Sequence, residues 1–337
     1  MFFKSIFQGN LQFGNAKSFE KVLKMYDHRL ENYYKGDVLF KSEEIFHADT
    51  LSVDLPRTVI NISDKNWRNS VDLLTYVAQF AVAGNIGVWM TEEGKINKYA
   101  WIEPEGDKAV VQNFRKGVEL VDLGKETEAE KVLTKAIEIY DKHAQAYERR
   151  GYVNYVLKKH HDAERDFSKA IKHDKSNSPA YYGRARIKMN RKDWEEAITD
   201  LAMAIKTSLA LQDIHWESRR FKAECLIQLK RYKEAEFELR FLTRRAFKPD
   251  SINYAYRKAA FYKYGQVLME LGQFDDAMES FDRAFEITEP KDSRLEADLL
   301  FHRGLARKEL GKNGFIADWN EASKLGNKKA KDLLAAR

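Results

Sequence analysis

Cysteine is nearly absent from this chain, since Cys225 is the only one among 337 residues. A single cysteine cannot form an internal disulfide, so the composition gives no sign of an oxidising compartment. Cys225 lies in an apolar helical stretch with no histidine partner nearby in sequence. We therefore expect a buried thiol rather than a catalytic nucleophile. Proline is also scarce, at five residues, which leaves room for long unbroken helices.

The chain also lacks a convincing membrane segment. Its longest uncharged run, residues 73–91, is close to the ~20 residues that a spanning helix needs, but Gln79, Gly84 and Gly87 interrupt it. The N-terminal residues have no sustained apolar run followed by a small-residue cleavage site, which argues against a secretion signal. We expect no integral membrane association and a cytoplasmic location.

Motifs for catalysis and for cofactor or metal binding are missing as well. No phosphate loop, zinc-ligand spacing or nucleophile elbow is present. The adjacent histidines His160 and His161 lack a third ligand nearby and are expected in an exposed turn. We expect no catalytic residue, no cofactor and no metal, and we interpret the protein as a non-enzyme. An enzyme that uses its C-terminal part only to recruit substrate stays an alternative.

A pattern of small and large residues recurs from about residue 110 onward. An alanine is followed four positions later by a large apolar residue, and three positions further on by another small or apolar one. The matches are Ala129/Leu133/Ala136, Ala163/Phe167/Ala170, Ala197/Leu201/Ala204, Ala235/Leu239/Leu242 and Ala277/Phe281/Ala284. Another small residue precedes each match by 12 positions: Gly117, Gly151, Ala185, Ala223 and Gly265.

These small residues follow one another at intervals of 34, 34, 38 and 42. The pattern resembles the tetratricopeptide repeat family, whose unit is two antiparallel helices in about 34 residues. A looser sixth unit is built around Gly304 and Ala317. The resemblance implies a mostly α fold: a right-handed α-solenoid of about six helix-turn-helix repeats over residues 106–337, ending in a capping helix near Lys328–Ala336. The two long intervals predict longer helices or loops around residues 206–218 and 244–258.

In the resembled family the first helix of each unit lines a concave groove that holds a partner. Carried onto this sequence, the groove residues are Phe114, Arg115, Arg149, Tyr152, Tyr182, Arg186, Arg220, Phe221, Tyr262, Lys263, Phe301 and His302. This lining alternates aromatic and basic residues, which suits a protein or peptide segment with acidic and apolar residues. The expected function is therefore that of a protein-interaction adaptor or scaffold.

One subfamily clamps acidic chaperone tails with a lysine and an asparagine of the first clamp repeat. Phe114 and Val118 occupy those positions here, so we do not expect that partner. The charge distribution leaves a second alternative open, because residues 106–337 carry a net charge of +8 and residues 1–105 a net charge of −2. An RNA-associated factor is thus an alternative reading of the basic repeats, although bases and acids are interleaved as on ordinary solvated helices.

Residues 1–105 do not repeat and are predicted to form a small α+β domain of two helices and about four strands. A helical period predicts a first helix over Ser18–Tyr34 with Ser18 as its N-cap. A second helix is expected to start at Ser63-Asp64 and to run to about Ala83.

Strands are predicted at residues 37–46 and 57–62, and a β-hairpin at residues 86–102 with its turn at 92–95. Trp67, Trp89 and Trp101 are expected in the core. The apolar residues 1–7 are expected to pack on this domain, with docking on a partner or a membrane surface as the alternative.

Overall fold

The computed structural model describes residues 2–289 and 291–336, and the chain forms two compact units, residues 1–183 and residues 184–337. The first unit begins with a five-stranded antiparallel sheet in the order β2-β3-β1-β4-β5. Its strands are β1 (Phe2–Gln12), β2 (Phe46–His47), β3 (Ser52–Ser63), β4 (Ala83–Glu92) and β5 (Lys95–Ile102). The accompanying helices are α1 (Ala16–Asn32), the single turn α2 (Ser42–Ile45) and α3 (Asp64–Ala78).

The N-terminal segment forms β1, the central strand of this sheet. It pairs with β3 on one side and with β4 on the other, and Phe7 and Leu11 are fully buried. The expectation that residues 1–7 pack on their own domain is confirmed for residues 2–7, although we did not predict a strand there; Met1 lies outside the described residues. The sequence-based boundary at residue 105 separates strands from repeat helices, and it stays a prediction.

The first predicted helix exists, but its N-cap is Asn15 rather than Ser18. The Asn15 side chain accepts a hydrogen bond from the backbone N–H of Ser18, which lies inside the first turn. Ser63 does cap α3, as predicted, by accepting from the backbone N–H of Asn66. This helix ends at Ala78 instead of Ala83, and the chain then turns into the sheet.

The predicted strand at residues 37–46 is wrong over most of its length. Residues 37–41 form an irregular segment whose backbone is satisfied by side chains of α3. Ser70 Oγ accepts from the Leu39 N–H at 2.9 Å, and Asn69 donates to the Asp37 carbonyl at 2.9 Å. Side-chain partners of this kind replace the ladder bonds that a strand would require.

The predicted hairpin is confirmed, with Glu93 and Gly94 both at positive φ in its turn. Trp67 and Trp89 are buried as expected. The prediction that Trp101 is a core residue is wrong, because 45% of its surface is exposed. Trp101 projects from the edge strand β5 next to Tyr99, with ring centroids 6.4 Å apart. That side of the sheet is not covered by the main hydrophobic cluster, which is why an aromatic residue there stays exposed.

The rest of the chain consists of consecutive helix pairs, as the repeat pattern predicted. The pairs are α4 (Ala109–Asp122) with α5 (Glu126–Ile139), α6 (Ala144–Val156) with α7 (His160–His173), α8 (Ser178–Arg191) with α9 (Trp194–Thr207), α10 (Asp213–Gln228) with α11 (Tyr232–Arg244), α12 (Arg257–Glu270) with α13 (Phe274–Glu286), and α14 (Ser293–Glu309) with α15 (Phe315–Lys324). They are called repeats one to six below. The final helix α16 (Lys328–Ala335) follows the sixth repeat.

Each repeat sets a small residue of its first helix against a large residue of its second. A Cβ added to Gly265 would meet ring atoms of Phe281 at 2.4 Å, and one added to Gly304 would meet Trp319 at 2.5 Å. Repeats three and four tolerate alanine as the small residue and have leucine as the large one. Repeat one pairs glycine with leucine, and a Cβ added to Gly117 would lie 2.5 Å from Leu133. The close crossing of the two helices therefore depends on volumes matched within each repeat.

The long interval before repeat five has a structural cause. Twelve residues separate α11 from α12, and they include a short 3₁₀ helix, Ile252–Tyr256. Asn253 anchors this segment by donating to the Asp213 backbone carbonyl and side-chain carboxylate, both at 3.1 Å. The predicted longer connection around residues 244–258 is thus confirmed.

An internal ion pair, which we did not predict, recurs in four repeats. The residue just before the small one is a cation, and it pairs with the acidic residue just before the large one on the second helix. The pairs are Arg150–Asp166, Arg184–Asp200, Lys222–Glu238 and Arg303–Asp318, at 2.6–2.8 Å. The acidic partners are 1–5% exposed, so these pairs lie inside the repeats.

Candidate functional site

The predicted groove residues lie on the first helices of the repeats, beginning with Phe114 and Arg115 on α4. Phe114 packs against the His143 ring with centroids 4.6 Å apart. Together with Arg115 and His143 it lines a narrow space bounded by residues 82–84 and 103–104 of the sheet domain. This first pair therefore faces the sheet domain, and its role in partner binding stays a prediction.

The sheet domain also contacts the second repeat of the same unit. The backbone N–H of Gly84 donates to the Gln145 side-chain oxygen at 3.2 Å. Arg149, a predicted groove residue, lies 3.5 Å from the Glu148 carboxylate, and burial raises the pKa of that carboxyl group. Tyr152 is 39% exposed, while Tyr182 on α8 is half-buried.

In the second unit, Arg186, Arg220, Phe221 and Lys263 are all half-buried. The Arg220 guanidinium lies 3.9 Å from the centroid of the Tyr256 ring and 4.3 Å from that of Phe221. Lys263 donates to the Glu224 carboxylate at 2.5 Å. The cationic groups of Arg220 and Lys263 are therefore held by neighbouring side chains.

Three of the predicted residues, Tyr262, Phe301 and His302, meet in one pocket of about 390 Å³. We call this the α12–α14 pocket. Its other lining residues are Gln266, Ser293, Arg294, Ala297, Asp298, Leu325, Gly326, Asn327, Lys328 and Lys329. The first helices of repeats five and six thus supply its aromatic side, and the start of α16 supplies its basic side.

A hydrogen-bond network orients the aromatic side of this pocket. His302 Nδ1 lies 2.8 Å from the Asp298 backbone carbonyl, an acceptor, so Nδ1 carries the proton of the neutral ring. Nε2 is then the acceptor, and the Gln266 amide lies 3.2 Å from it and 2.9 Å from the Tyr262 oxygen. The Tyr262 oxygen accepts from Gln266 and also lies 3.2 Å from His302 Nδ1. Because Nδ1 carries a proton in this arrangement, it cannot accept from Tyr262, and the Tyr262 O–H proton is left for a ligand.

The electrostatics of the pocket favour an anionic ligand. Burial lowers the pKa of His302 below its usual 6.5, partly offset by its bond to the Asp298 carbonyl, so the ring is neutral near pH 7. Arg294, Lys328 and Lys329 contribute three positive charges, and Asp298 contributes one negative charge. The Asn327 side chain donates to the Asp298 carboxylate at 2.8 Å and also caps the N-terminus of α16.

The sequence reasoning missed the contribution of α16 to this pocket. Asn327 before a lysine- and alanine-rich stretch indicates a helix start, and that signal was present. The position of Lys328 and Lys329 beside Tyr262 depends on how α16 folds back on α14, which periodicity does not show.

Neither a metal site nor a membrane-spanning helix is found within the described residues. Across residues 2–289 and 291–336, no group of three or more histidine, cysteine, aspartate or glutamate side chains is arranged to hold a metal ion. Over the same residues, no helix is long and apolar enough to cross a membrane. Cys225 is fully buried, and burial raises its pKa to about 12, as expected for an unreactive thiol.

Comparison with known proteins agrees with the helix pairs. Tetratricopeptide repeat profiles match residues 114–179 and 182–251 and, with a second profile, residues 259–290. A comparison with curated protein sequences finds no significant match.

Two solved structures share the fold at low sequence identity. One is the crystal structure of YrrB, a repeat protein with an unusual peptide-binding site, at 19% identity and a TM-score of 0.51, covering 60% of this chain and 97% of that one. The other is PilF of Pseudomonas aeruginosa, at 16% identity and a TM-score of 0.51, covering 68% of this chain and 98% of that one. The helical part of this chain belongs to the tetratricopeptide repeat family.

Proposed function

We propose that this protein is an interaction adaptor that binds an extended segment of a partner protein in the α12–α14 pocket. The observation that carries the proposal is the convergence of Tyr262, Phe301 and His302, three residues of the predicted groove, on one cavity. A half-buried hydrogen-bond network orients two of these rings before any ligand arrives. Preorganised side chains lower the entropy cost of binding.

The chemistry of the pocket indicates the kind of segment it takes. Arg294, Lys328 and Lys329 suit a carboxylate. Leu325, which is 38% exposed, offers apolar surface beside the largely buried Phe301 ring. The Tyr262 hydroxyl suits a backbone or side-chain acceptor. We therefore infer a peptide with at least one acidic and one apolar residue. YrrB, which has the same repeat fold, carries a peptide-binding site, and this similarity supports a peptide-binding function here.

The proposal can be tested by selecting peptides from a random phage-displayed library on the purified full chain and measuring their affinities by isothermal titration calorimetry. Changing both Tyr262 and His302 to alanine removes the hydroxyl and the imidazole, so we expect binding at least about tenfold weaker. A matched control changes Tyr33 and His28, two residues at the surface of the N-terminal region, to alanine. Circular dichroism checks that each variant is folded.

Selected peptides should combine acidic with apolar residues and should bind the control variant as tightly as the wild type. Equal affinity for the pocket variant would show that the peptides bind elsewhere, and failure to select any peptide would count against the adaptor proposal. A short RNA tested in the same titrations addresses the nucleic-acid alternative, for which tight and strongly salt-dependent binding would be required.

A further inference from the structure

The fifth repeat departs from its neighbours at the position of the internal ion pair. Tyr264 and Ser280 stand where repeats two, three, four and six have a cation and an acid. The Tyr264 hydroxyl donates to Glu236 on α11 at 3.2 Å, and Ser280 Oγ donates to the backbone carbonyl of Phe261 at 2.8 Å. Tyrosine and serine at these two positions cannot make the cation–carboxylate bridge found in repeats two, three, four and six.

The missing bridge coincides with a cleft of about 840 Å³ between α11, α12 and α13, which we call the fifth-repeat cleft. In repeat six, Arg303 spans the equivalent space, because it binds Asp282 on α13 at 3.0 Å and Asp318 on α15 at 2.6 Å. Between α11 and α13 nothing comparable is present among the cleft's described lining residues. The long connection from α11 to α12 adds to the opening, because Arg245, Ala246 and Phe247 form part of its wall.

One end of the fifth-repeat cleft carries arginines without acidic partners. Within the described residues, no carboxylate lies at ion-pair distance from Arg244, Arg245 or Arg257. The Arg257 guanidinium lies 3.3 Å from the Tyr254 ring centroid, and that of Arg245 lies 5.4 Å from a ring centroid of Trp216. Arg257 Nε donates to the Tyr254 backbone carbonyl at 2.8 Å. Stacking on the ring holds the guanidinium plane while its terminal N–H groups stay available. Such edges bind carboxylates or phosphates bidentately.

The other lining residues of the cleft favour the carboxylates of a peptide over the phosphates of a nucleic acid. Phe261, Leu268 and Ile287 supply apolar surface. Four carboxylates also line the cleft: Glu236, Asp276, Glu279 and Glu286. Arg240 and Arg283 pair with Glu236 and Glu286 at 3.7 and 3.2 Å. Asp276 and Glu279 would repel the continuous negative charge of a nucleic-acid strand, whereas a peptide can place isolated acidic residues at the arginines and apolar residues on the floor.

We propose that the fifth-repeat cleft is a second binding site, which takes an acidic, partly apolar segment of a partner protein. It is separate from the α12–α14 pocket, because Tyr262 and Tyr264 are two residues apart on α12 and therefore point about 200° apart around that helix. A chain with both sites holds two segments at once, either from one partner or from two.

Two double variants test the proposal on the full chain. Arg244→Glu with Arg257→Glu reverses the charge of the basic end. Tyr264→Arg with Ser280→Asp restores the ion pair of the other repeats and fills the cleft without changing the net charge. The control, Arg68→Glu with Arg165→Glu, makes the same charge change at exposed arginines elsewhere.

The probes are a short fluorescein-labelled peptide of alternating glutamate and leucine, the matching lysine–leucine peptide, and an oligouridylate of equal length. Fluorescence anisotropy measures their binding, and circular dichroism confirms folding. We expect the wild type and the control to bind the acidic peptide equally, and both cleft variants to bind it at least about tenfold more weakly.

Undiminished binding by either folded cleft variant would overturn the proposal, as would tighter binding of the oligouridylate or the basic peptide, or no binding of the acidic peptide. The wild type and each variant are compared in a background in which Tyr262 and His302 are alanine, so that the α12–α14 pocket does not contribute to the measured affinity. A failure of the proposal for the fifth-repeat cleft can therefore be distinguished from a failure of the proposal for the α12–α14 pocket.

Discussion

Arg150 and Asp166 form a buried bidentate ion pair, in which Arg150 Nε and Nη2 each donate to one carboxylate oxygen at 2.8 Å. Asn154 adds a third hydrogen bond to the same carboxylate at 3.0 Å, and Arg150 also donates to Thr134 on the preceding repeat at 3.0 Å. The pair therefore joins the two helices of its own repeat and ties them to the repeat before. Its recurrence in three further repeats makes it a regular part of this array.

Replacing Asp166 with alanine should lower the free energy of unfolding by about 3–5 kcal/mol, because it leaves the Arg150 guanidinium half-buried without its partner. Urea denaturation followed by circular dichroism measures the change. Replacing Glu119, whose pair with Lys116 is exposed, should cost less than about 1 kcal/mol. Similar losses for the two variants would contradict the structural role given to the buried pair.

Replacing Gly265 with alanine should destabilise the fifth repeat by about 1–3 kcal/mol, because the new Cβ would lie 2.4, 2.7 and 2.8 Å from ring atoms of Phe281. The cost should shrink when Phe281 is leucine, since repeats three and four combine alanine with leucine at the same two positions. Thermal or urea unfolding of the wild type, Gly265→Ala, Phe281→Leu and the double variant gives the coupling free energy between the two positions. An equal cost of the alanine in both backgrounds would refute the matched-volume explanation.

His143 should make the first unit sensitive to acid. Burial lowers its pKa from 6.5 to about 4, partly offset by a hydrogen bond with Gln145, and its Nδ1 accepts from the Ala146 N–H at the start of α6. Because the unfolded chain takes up this proton first, the stability is fully present above pH 6.5 and is lost as the pH falls to about 4. The free energy of unfolding is lowered by about 3 kcal/mol once the pH has fallen to about 4.

Changing His143 to asparagine keeps an N-cap acceptor but removes the titrating group. We expect the difference in unfolding free energy between wild type and variant to shift in the variant's favour as the pH is lowered through this window. Urea titrations of both proteins at several pH values measure it. Parallel pH profiles would show that His143 is not the acid-sensitive group.

Changing Glu93 to asparagine should stabilise the β4–β5 hairpin by at most about 1 kcal/mol, the lower end of what a left-handed conformation costs an ordinary residue. Glu93 and Gly94 have φ values of 50° and 77°, and asparagine adopts this left-handed region more readily than glutamate. A higher urea midpoint of unfolding, followed by circular dichroism, would confirm it. Glu92→Asn, which alters the neighbouring strand residue instead, should give no gain.

Much of the fold was predictable because helical repeats leave a local signature. The spacing of Gly151, Ala163 and Phe167 places the two helices of one repeat, and it recurs closely enough to locate the other five. The same reasoning failed for residues 37–41, because their backbone partners are the side chains of Asn69 and Ser70, about thirty residues further along the chain. It also missed β1, whose pairing with β3 and β4 joins distant segments.

The candidate site was also only partly predictable from the sequence. Counting along each repeat was enough to place Tyr262, Phe301 and His302 on corresponding positions of first helices. It could not show that Phe114 packs towards the sheet domain or that Lys328 lines the α12–α14 pocket. The first contact depends on the sheet domain, which precedes the repeats, and the second depends on α16, which follows them. Neither element follows the spacing of the repeats.

The sequence by itself determined the repeat register, the pairing of small with large residues and the stretched junction before repeat five. These features are encoded in residues less than one repeat apart, and helix geometry converts such spacing into contacts directly. Only the tertiary structure decided where β1 pairs, which predicted groove residues share a cavity, and that the Tyr264–Ser280 exchange coincides with an open cleft. Each of these depends on side chains from helices or strands far apart in sequence, and their distances are set by packing rather than by periodicity.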